Sequence, residues 1–236
     1  MLNDPFQTGR SAHRLLFDFS IGLSLLNFNN PNKKILDFAC GTGWTSEFLN
    51  KVGFNVFSFD IDKDVIKLAS SRYKLDKKID KERSHYKIHD GHNLKYEDNF
   101  FGHVFCFDSL HHMKDYKQVF NEIFRVLEES GEAVFVEPGA NHSKSKETIN
   151  FLKKHEHEKN REFWLEKDVV LEEIYNLTKK IGFSDFKIKP FLDPSLVNFG
   201  FVDWYNILDN NEGIENYMSE FRRFNYEDRV IFSVKK

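Results

Sequence analysis

Apolar positions along this chain fall into two alternating rhythms. Between Arg10 and Leu26 they recur at Leu15, Leu16, Phe19, Leu23 and Leu26, a spacing that predicts a helix with Arg14 and Asp18 on its other side, closed by Asn29, Asn30 and Pro31. From Lys34 onward short apolar runs take turns with amphipathic stretches: KILDFA, a helix from about Trp44, NVFSFD, and a helix from about Asp64. Further strands are read at Tyr86 to His89, Gly102 to Asp108, Ala133 to Glu137, Phe186 to Lys189 and Val230 to Val234, with helices near Tyr116 to Leu127 and Asp168 to Ile181. Such alternation predicts repeated strand-helix-strand units and a parallel sheet. The last two strands are separated by a polar and aromatic insertion, Phe191 to Asp228.

Turn chemistry sharpens the picture at Ile35 to Leu49, ILDFACGTGWTSEFL, where an apolar strand breaks into Gly41-Thr42-Gly43 and resumes as a helix. Glycine there permits positive φ and close backbone approach, and the helix start presents unpaired N–H groups. The next strand ends in Asp60-Ile61-Asp62, a carboxylate placed to accept both hydrogen bonds of a ribose. Asp60 could instead cap the following helix, but Asp62 suits that position better. The third strand ends in His89-Asp90-Gly91, where a carboxylate can receive an exocyclic amine, and the fourth in Cys106-Phe107-Asp108-Ser109-Leu110-His111-His112. A nicotinamide-dinucleotide fingerprint starting at Gly41 would need glycine where Ser46 stands, and would have to fit Trp44 beside the pyrophosphate.

From about Lys33 to Pro138 this ordered set resembles the class I S-adenosylmethionine-dependent methyltransferases. Their D/E-x-G-x-G-x-G turn corresponds to Asp37 through Gly43, with Ala39 in the place of the first glycine. The resemblance implies S-adenosylmethionine as cofactor and an α/β fold: a seven-stranded Rossmann-like sheet with helices on both faces, strand order 3-2-1-4-5-7-6, last strand antiparallel. It also implies a cofactor site drawn from Asp37, Ala39, Gly41, Gly43, Trp44, Thr45, Asp60, Ile61, Asp90, Gly91, Asp108 and Ser109, with Asp60 on the ribose, Asp90 and Gly91 on the adenine, and Gly41 and Asp108 on the methionine portion. The phrases FDSLHH, RVLEESGE and EPGANHS look like a bacterial group associated with glycosyltransferases and surface-polysaccharide synthesis. Residues 1–236 are expected to be a single methyltransferase domain with an N-terminal helical lid, 1–32, and a substrate-lining insertion, 191–228.

Transfer of methyl to a hydroxyl calls for a base, and histidine is best matched to neutral pH. His112 and His142 are the catalytic candidates because they follow the fourth and fifth strands, where ligands of open α/β sheets bind. Arg10, Arg14, His111, Glu137, Trp204 and Tyr205 are the substrate candidates; a sugar ring stacking on an aromatic motivates the last two, although helical packing explains most aromatics of the insertion. No metal is expected: His155 and His157 are two apart and would point to different helix faces, and Asp108 and Glu137 have more ordinary roles as backbone and strand-end contacts.

Composition bounds the partners. The 236 residues carry 34 Lys+Arg against 37 Asp+Glu, a formal charge of −3, which does not favour general nucleic-acid binding. The basic stretch Lys74 to Lys87 is interleaved with Asp76, Asp80 and Glu82 and reads as a solvated connection. No apolar run reaches the roughly 18 residues of a membrane span, and two cysteines in apolar surroundings point to reduced, buried thiols, so a cytoplasmic protein is expected. A small-molecule or saccharide substrate follows; the oligomeric state is left open. A regulatory module that binds cofactor without catalysis, RNA methylation and an NAD-dependent oxidoreductase are the competing readings. Of 26 phenylalanines, those on strands should fill core rather than recognise anything.

Overall fold

A computed structural model describes residues 4–156, 165–190, 215, 218–219 and 221–236. Seven strands form one sheet: β1 (Lys34–Phe38), β2 (Asn55–Asp60), β3 (Ser84–Ile88), β4 (Phe101–Phe107), β5 (Leu127–Pro138), β6 (Asp185–Ile188) and β7 (Arg229–Lys235). Their order is β3-β2-β1-β4-β5-β7-β6. The pairs from β3 through β5 are parallel, whereas β7 runs antiparallel to both β5 and β6. The expected Rossmann-like sheet is therefore present, with its strand order and antiparallel last strand.

Among the described residues, helices with given bounds accompany it: α1 (Gly9–Leu23), α2 (Trp44–Lys51), α3 (Lys63–Leu75), α4 (Tyr116–Val126), α5 (Lys146–Lys154) and α6 (Leu171–Ile181). Local chemistry explains where they start. The Thr8 and Ser11 side chains form a reciprocal capping box on α1. Asp62, as its position suggested, caps α3 by accepting from Asp64 and Val65, while Asp115 and Ser145 cap α4 and α5. Gly182, at φ 119°, ends α6 in the left-handed conformation.

Side-chain alternation splits the strands between two cores. Leu36, Phe38, Phe59, Cys106, Phe135 and Phe232 join Phe120, Ile123 and Ile174 of α4 and α6 on one face. Ile35, Phe105, Phe107, Val134 and Val136 join Leu15 and Phe19 of α1 and Trp44 and Leu49 of α2 on the other. The strand phenylalanines fill both faces. Both cysteines are buried and free, and no helix among the described residues is long and apolar enough to cross a membrane.

Several features differ from the hydrophobic pattern. Asp18 belongs to the buried stripe Leu15, Asp18, Phe19, Gly22 rather than the solvent side, because Arg229 at the start of β7 supplies a counter-charge, its Nε 2.8 Å from the carboxylate. Helix α6 starts at Leu171 rather than Asp168, whose carboxylate instead receives the Ser143 N–H at 2.7 Å and the Ser143 hydroxyl at 3.0 Å. Strand β5 begins at Leu127, well before Ala133, so α4 stops at Val126.

Candidate active site

Four loops converge at the carboxyl ends of β1 to β4, the edge where open parallel sheets bind ligands. The turn after β1 places Ala39, Gly41 and Gly43 at positive φ (52°, 53° and 76°), and Gly43 starts α2. A Cβ on Gly43 would meet that of Ala69 at 2.9 Å, so both conformation and close approach demand glycine there. Alanine at 39 occupies a region that L-residues enter at a cost, and Ala39→Gly should raise stability by roughly 0.5–1 kcal/mol in urea denaturation.

Asp37 lies beneath this turn, almost fully buried, accepting from the Thr45 hydroxyl at 2.8 Å and from the Ser46 hydroxyl. Burial raises its pKa to about 6, against the lowering effect of those hydrogen bonds. Ser46, which breaks the dinucleotide fingerprint, thus anchors α2 to β1, with Ser58 donating to it from β2. The Thr45 hydroxyl donates to Asp37 and the Trp44 indole packs against Phe19, Phe48 and Phe107, so both side chains help to hold the turn.

Asp60 extends the turn. Its carboxylate accepts the Gly41 N–H at 3.0 Å and the Asp62 N–H at 3.0 Å, coupling the β2 loop to the β1 loop. Ile61 beside it is 60% exposed, an apolar edge next to a carboxylate. After β3, Asp90 accepts from the His92 N–H and Nδ1 with half of its side chain exposed, and Gly91 approaches Phe38 so closely that a Cβ would meet the ring at 2.5 Å.

After β4 the backbone turns at Asp108 (φ 48°), and the Ser109 hydroxyl donates to Ala39 C=O at 3.0 Å, closing the cleft between β1 and β4. The Asp108 carboxylate pairs with Arg229 and lies 3.7 Å from Arg14. Burial opposes its ionisation, but the two guanidinium charges outweigh that and hold its pKa at about 2. Arg14 is half exposed at the cleft, whereas Arg10 is exposed on the first turn of α1.

Past the fourth strand lies a histidine and carboxylate cluster. Glu137, fully buried at the end of β5, accepts the N–H groups of Ser109 and Leu110, each at 2.9 Å, and His111 Nδ1 at 2.8 Å. Its carboxylate is therefore engaged by the β4 exit and by His111. His111, His112 and His142 lie side by side, with ring centroids 3.8 Å and 4.9 Å from His111. Glu166, from the extended segment before α6, joins them: its carboxylate is 2.6 Å from His142 Nε2, 3.6 Å from His111 Nε2 and 3.8 Å from His112 Nδ1. Burial would lower the His111 pKa, but its Glu137 hydrogen bond raises it overall; burial and the charge of His111 lower that of His112. Burial likewise works against the Glu166 charge, and the His142 hydrogen bond keeps it ionised.

The loop carrying His142 is fixed from outside the sheet. Gly139, Ala140 and Asn141 donate to the carbonyls of Asp228, Tyr226 and Glu227 in the π-helical turn Arg223–Asp228. A Cβ on Gly139 would meet the Tyr226 oxygen at 2.4 Å. Gly139→Ala should therefore cost about 1–3 kcal/mol of stability and lower turnover by shifting His142, read by thermal melting and a methyl-transfer assay.

Trp204, Tyr205 and His157 lie outside the described residues. Sequence reasoning missed Glu166, Arg229 and Asp18. An arginine opening the apolar run RVIFSV and an aspartate inside a helix's apolar stripe were the available signals for the latter two.

Residues 36–135 match the family model described as Methyltransferase domain. By this match that segment is a methyltransferase domain, similar to those of the class I S-adenosylmethionine-dependent methyltransferases. Among similar proteins are an uncharacterised methyltransferase of Schizosaccharomyces pombe, 32% identical over 45% of this chain and 40% of that protein, and the ubiquinone/menaquinone biosynthesis C-methyltransferase UbiE of Wigglesworthia glossinidia brevipalpis, 29% identical over 65% of this chain and 58% of that one. The chain thus aligns with about half, or less, of the length of these relatives. A solved structure of Haemonchus contortus phosphoethanolamine N-methyltransferase 2 in complex with S-adenosyl-L-methionine shares the fold, with TM-score 0.60, 18% identity, and coverage of 100% of this chain and 60% of that one. The cofactor of this family is S-adenosylmethionine, and the described loops suit it: the space a Cβ would take at Gly41 is open, with nothing within 4 Å, and the Asp60 carboxylate borders the same turn.

Proposed function

We propose that the chain transfers the methyl group of S-adenosylmethionine to a hydroxyl of a saccharide or related small molecule. The observation that carries this reading is one continuous edge: Asp90 and Asp60, then the Gly41 turn, then Asp108, and beyond them the cluster of His111, His112, His142 and Glu166. In this reading Asp60 accepts the ribose hydroxyls, Ile61 flanks the adenine, Asp90 and Gly91 receive its amine, and Gly41, Asp108, Ser109 and the α2 N–H groups hold the methionine portion. The methyl then points past β4 toward the cluster, and the acceptor enters from that side.

Reaction there is an in-line displacement. The acceptor oxygen forms the new C–O bond as the C–S bond breaks; the electron pair stays on sulfur, which becomes a neutral thioether, and the hydroxyl proton leaves at the cluster. Alignment of the two reactants in a closed cleft supplies much of the rate, several powers of ten. His112, the more exposed of the two catalytic candidates, lies nearest the open side of the cluster. Arg14 is placed to meet an anionic group of cofactor or acceptor. Similarity to a group associated with glycosyltransferases supports a saccharide and a role in polysaccharide synthesis in the cytoplasm. UbiE is named for quinone substrates and the nematode enzyme for phosphoethanolamine, so the relatives' names favour no single acceptor.

The test is transfer of isotopically labelled methyl to a panel of nucleotide sugars, glycans, quinols, small amines and RNA. Label in the saccharide fraction is expected. Label appearing only in another acceptor would replace the substrate class, and cofactor binding with no transfer to any acceptor would favour a regulatory module.

A further inference from the structure

Two histidines and a glutamate at the end of the cleft have the arrangement of a metal site. His111, His112 and Glu166 each bring a ligand atom to within 4.8 Å of the others. We propose that these three residues bind a divalent first-row transition-metal ion, with zinc the best match, leaving open coordination positions for the acceptor's oxygen. The proposal rests on the methyl-transfer reading for the ion's role, though not for its binding, and it departs from the sequence-based expectation of no metal.

Hydrogen bonding fixes the tautomers. The Leu165 carbonyl can only accept, so His112 Nδ1, 2.6 Å away, donates to it. The Glu137 carboxylate, already receiving two backbone N–H groups, likewise accepts from His111 Nδ1. In each neutral ring the remaining lone pair is then on Nε2. A ligating histidine characteristically donates its other nitrogen to a carboxylate or backbone carbonyl in this way. Glu166 is held in the same manner, since His142 Nε2 donates to its Oε2 at 2.6 Å and His142 Nδ1 is 3.4 Å from the Thr148 hydroxyl.

The donor set selects the ion. Calcium and magnesium prefer all-oxygen shells, whereas two imidazoles and one carboxylate suit zinc and its neighbours, and three protein ligands leave room for substrate. Bonds of about 2.0–2.1 Å on a four-coordinate ion keep neighbouring ligand atoms about 3.3 Å apart. The Glu166 carboxylate at 3.6 Å from His111 Nε2 would need to close by only a few tenths of an ångström. Access also fits: the His111 and Glu166 side chains are 6% and 8% exposed, but that of His112 is 40% exposed, so the cluster is sealed behind and open in front.

An acceptor hydroxyl bound to such an ion loses its proton more readily, to water in the cleft, and the resulting oxygen attacks the methyl carbon as described above. The ion keeps its charge throughout, so no oxidant or reductant is required. His112 and His142 then serve as ligand and as support for Glu166 rather than as free bases.

The experiment is titration of the EDTA-treated full chain with Co2+, followed by its visible absorption, with Zn2+ competition and with S-adenosylmethionine binding measured in parallel. One saturable ion per chain is expected, displaced by Zn2+, and Glu166→Gln and His111→Gln should each weaken it more than about 100-fold, beyond the effect usual for a residue that only supports a ligand. Cofactor affinity should stay within about threefold in both variants. Absence of saturable binding by a chain that still binds cofactor, or binding unchanged in both variants, overturns the proposal. If a variant loses cofactor binding through misfolding, the wild-type titration decides, and Asp168→Asn, which also contacts this loop region without supplying a ligand, should retain the ion. A chain that binds the ion but no cofactor would leave the metal site standing and overturn the methyl-transfer reading instead.

Discussion

Asp60→Ala should weaken S-adenosylmethionine binding by roughly 100-fold or more, with the protein still folded. Its carboxylate accepts the Gly41 and Asp62 N–H groups at 3.0 Å and has lone pairs left for two ribose hydroxyls. Hydrogen bonds to a charged group contribute about 1.5–3 kcal/mol each, so losing two costs about 3 kcal/mol or more, and every 1.4 kcal/mol is a factor of about ten in affinity. Asp62→Ala provides the contrast. It removes the α3 cap, at a cost of about 1 kcal/mol in stability, and should leave affinity nearly unchanged. Isothermal titration on both variants separates the roles; equal affinities in the two would remove Asp60 from the ribose site.

Arg229→Met is expected to destabilise the fold by about 3–5 kcal/mol, a fall in Tm on the order of 10 °C. Arg229 is buried between Asp18 of α1 and Asp108 of the β4 loop, and its charge balances both. Methionine would leave two carboxylates facing each other in a buried place. Adding Asp18→Leu should restore a large part of the loss, a coupling that a double-mutant cycle measures; strictly additive effects would mean the pair contributes little. Acid titration gives a second reading. Because the folded-state pKa of Asp108 is depressed to about 2, below its ordinary value near 4, its contribution is complete above about pH 4 and is lost as pH falls toward 2. That part of the acid dependence should disappear in Arg229→Met.

Much of this architecture was legible in the residues because local chemistry and global fold agree. KILDFACGTGW states strand, turn and helix in succession, and the structure gives β1, a turn with glycines 41 and 43 at positive φ, and α2. What escaped were contacts made at long sequence distance. Asp18 reads as a solvent-side residue until Arg229, more than two hundred positions later, is folded onto it. Glu166 carries no local signal, yet it joins histidines contributed by the β4 and β5 loops. Glu137 reads as a strand-end residue, and only its three-dimensional partners show that its carboxylate holds the Ser109 and Leu110 N–H groups and His111.

The central claim, that the carboxyl edge of β1 to β4 is an S-adenosylmethionine site, is tested most directly by equilibrium titration of the purified chain with S-adenosylmethionine and, separately, NAD. The account predicts saturable binding of S-adenosylmethionine at one site per chain, in the micromolar range or tighter, and weaker or no binding of NAD. Tighter binding of NAD, or no saturable binding of S-adenosylmethionine, would contradict it.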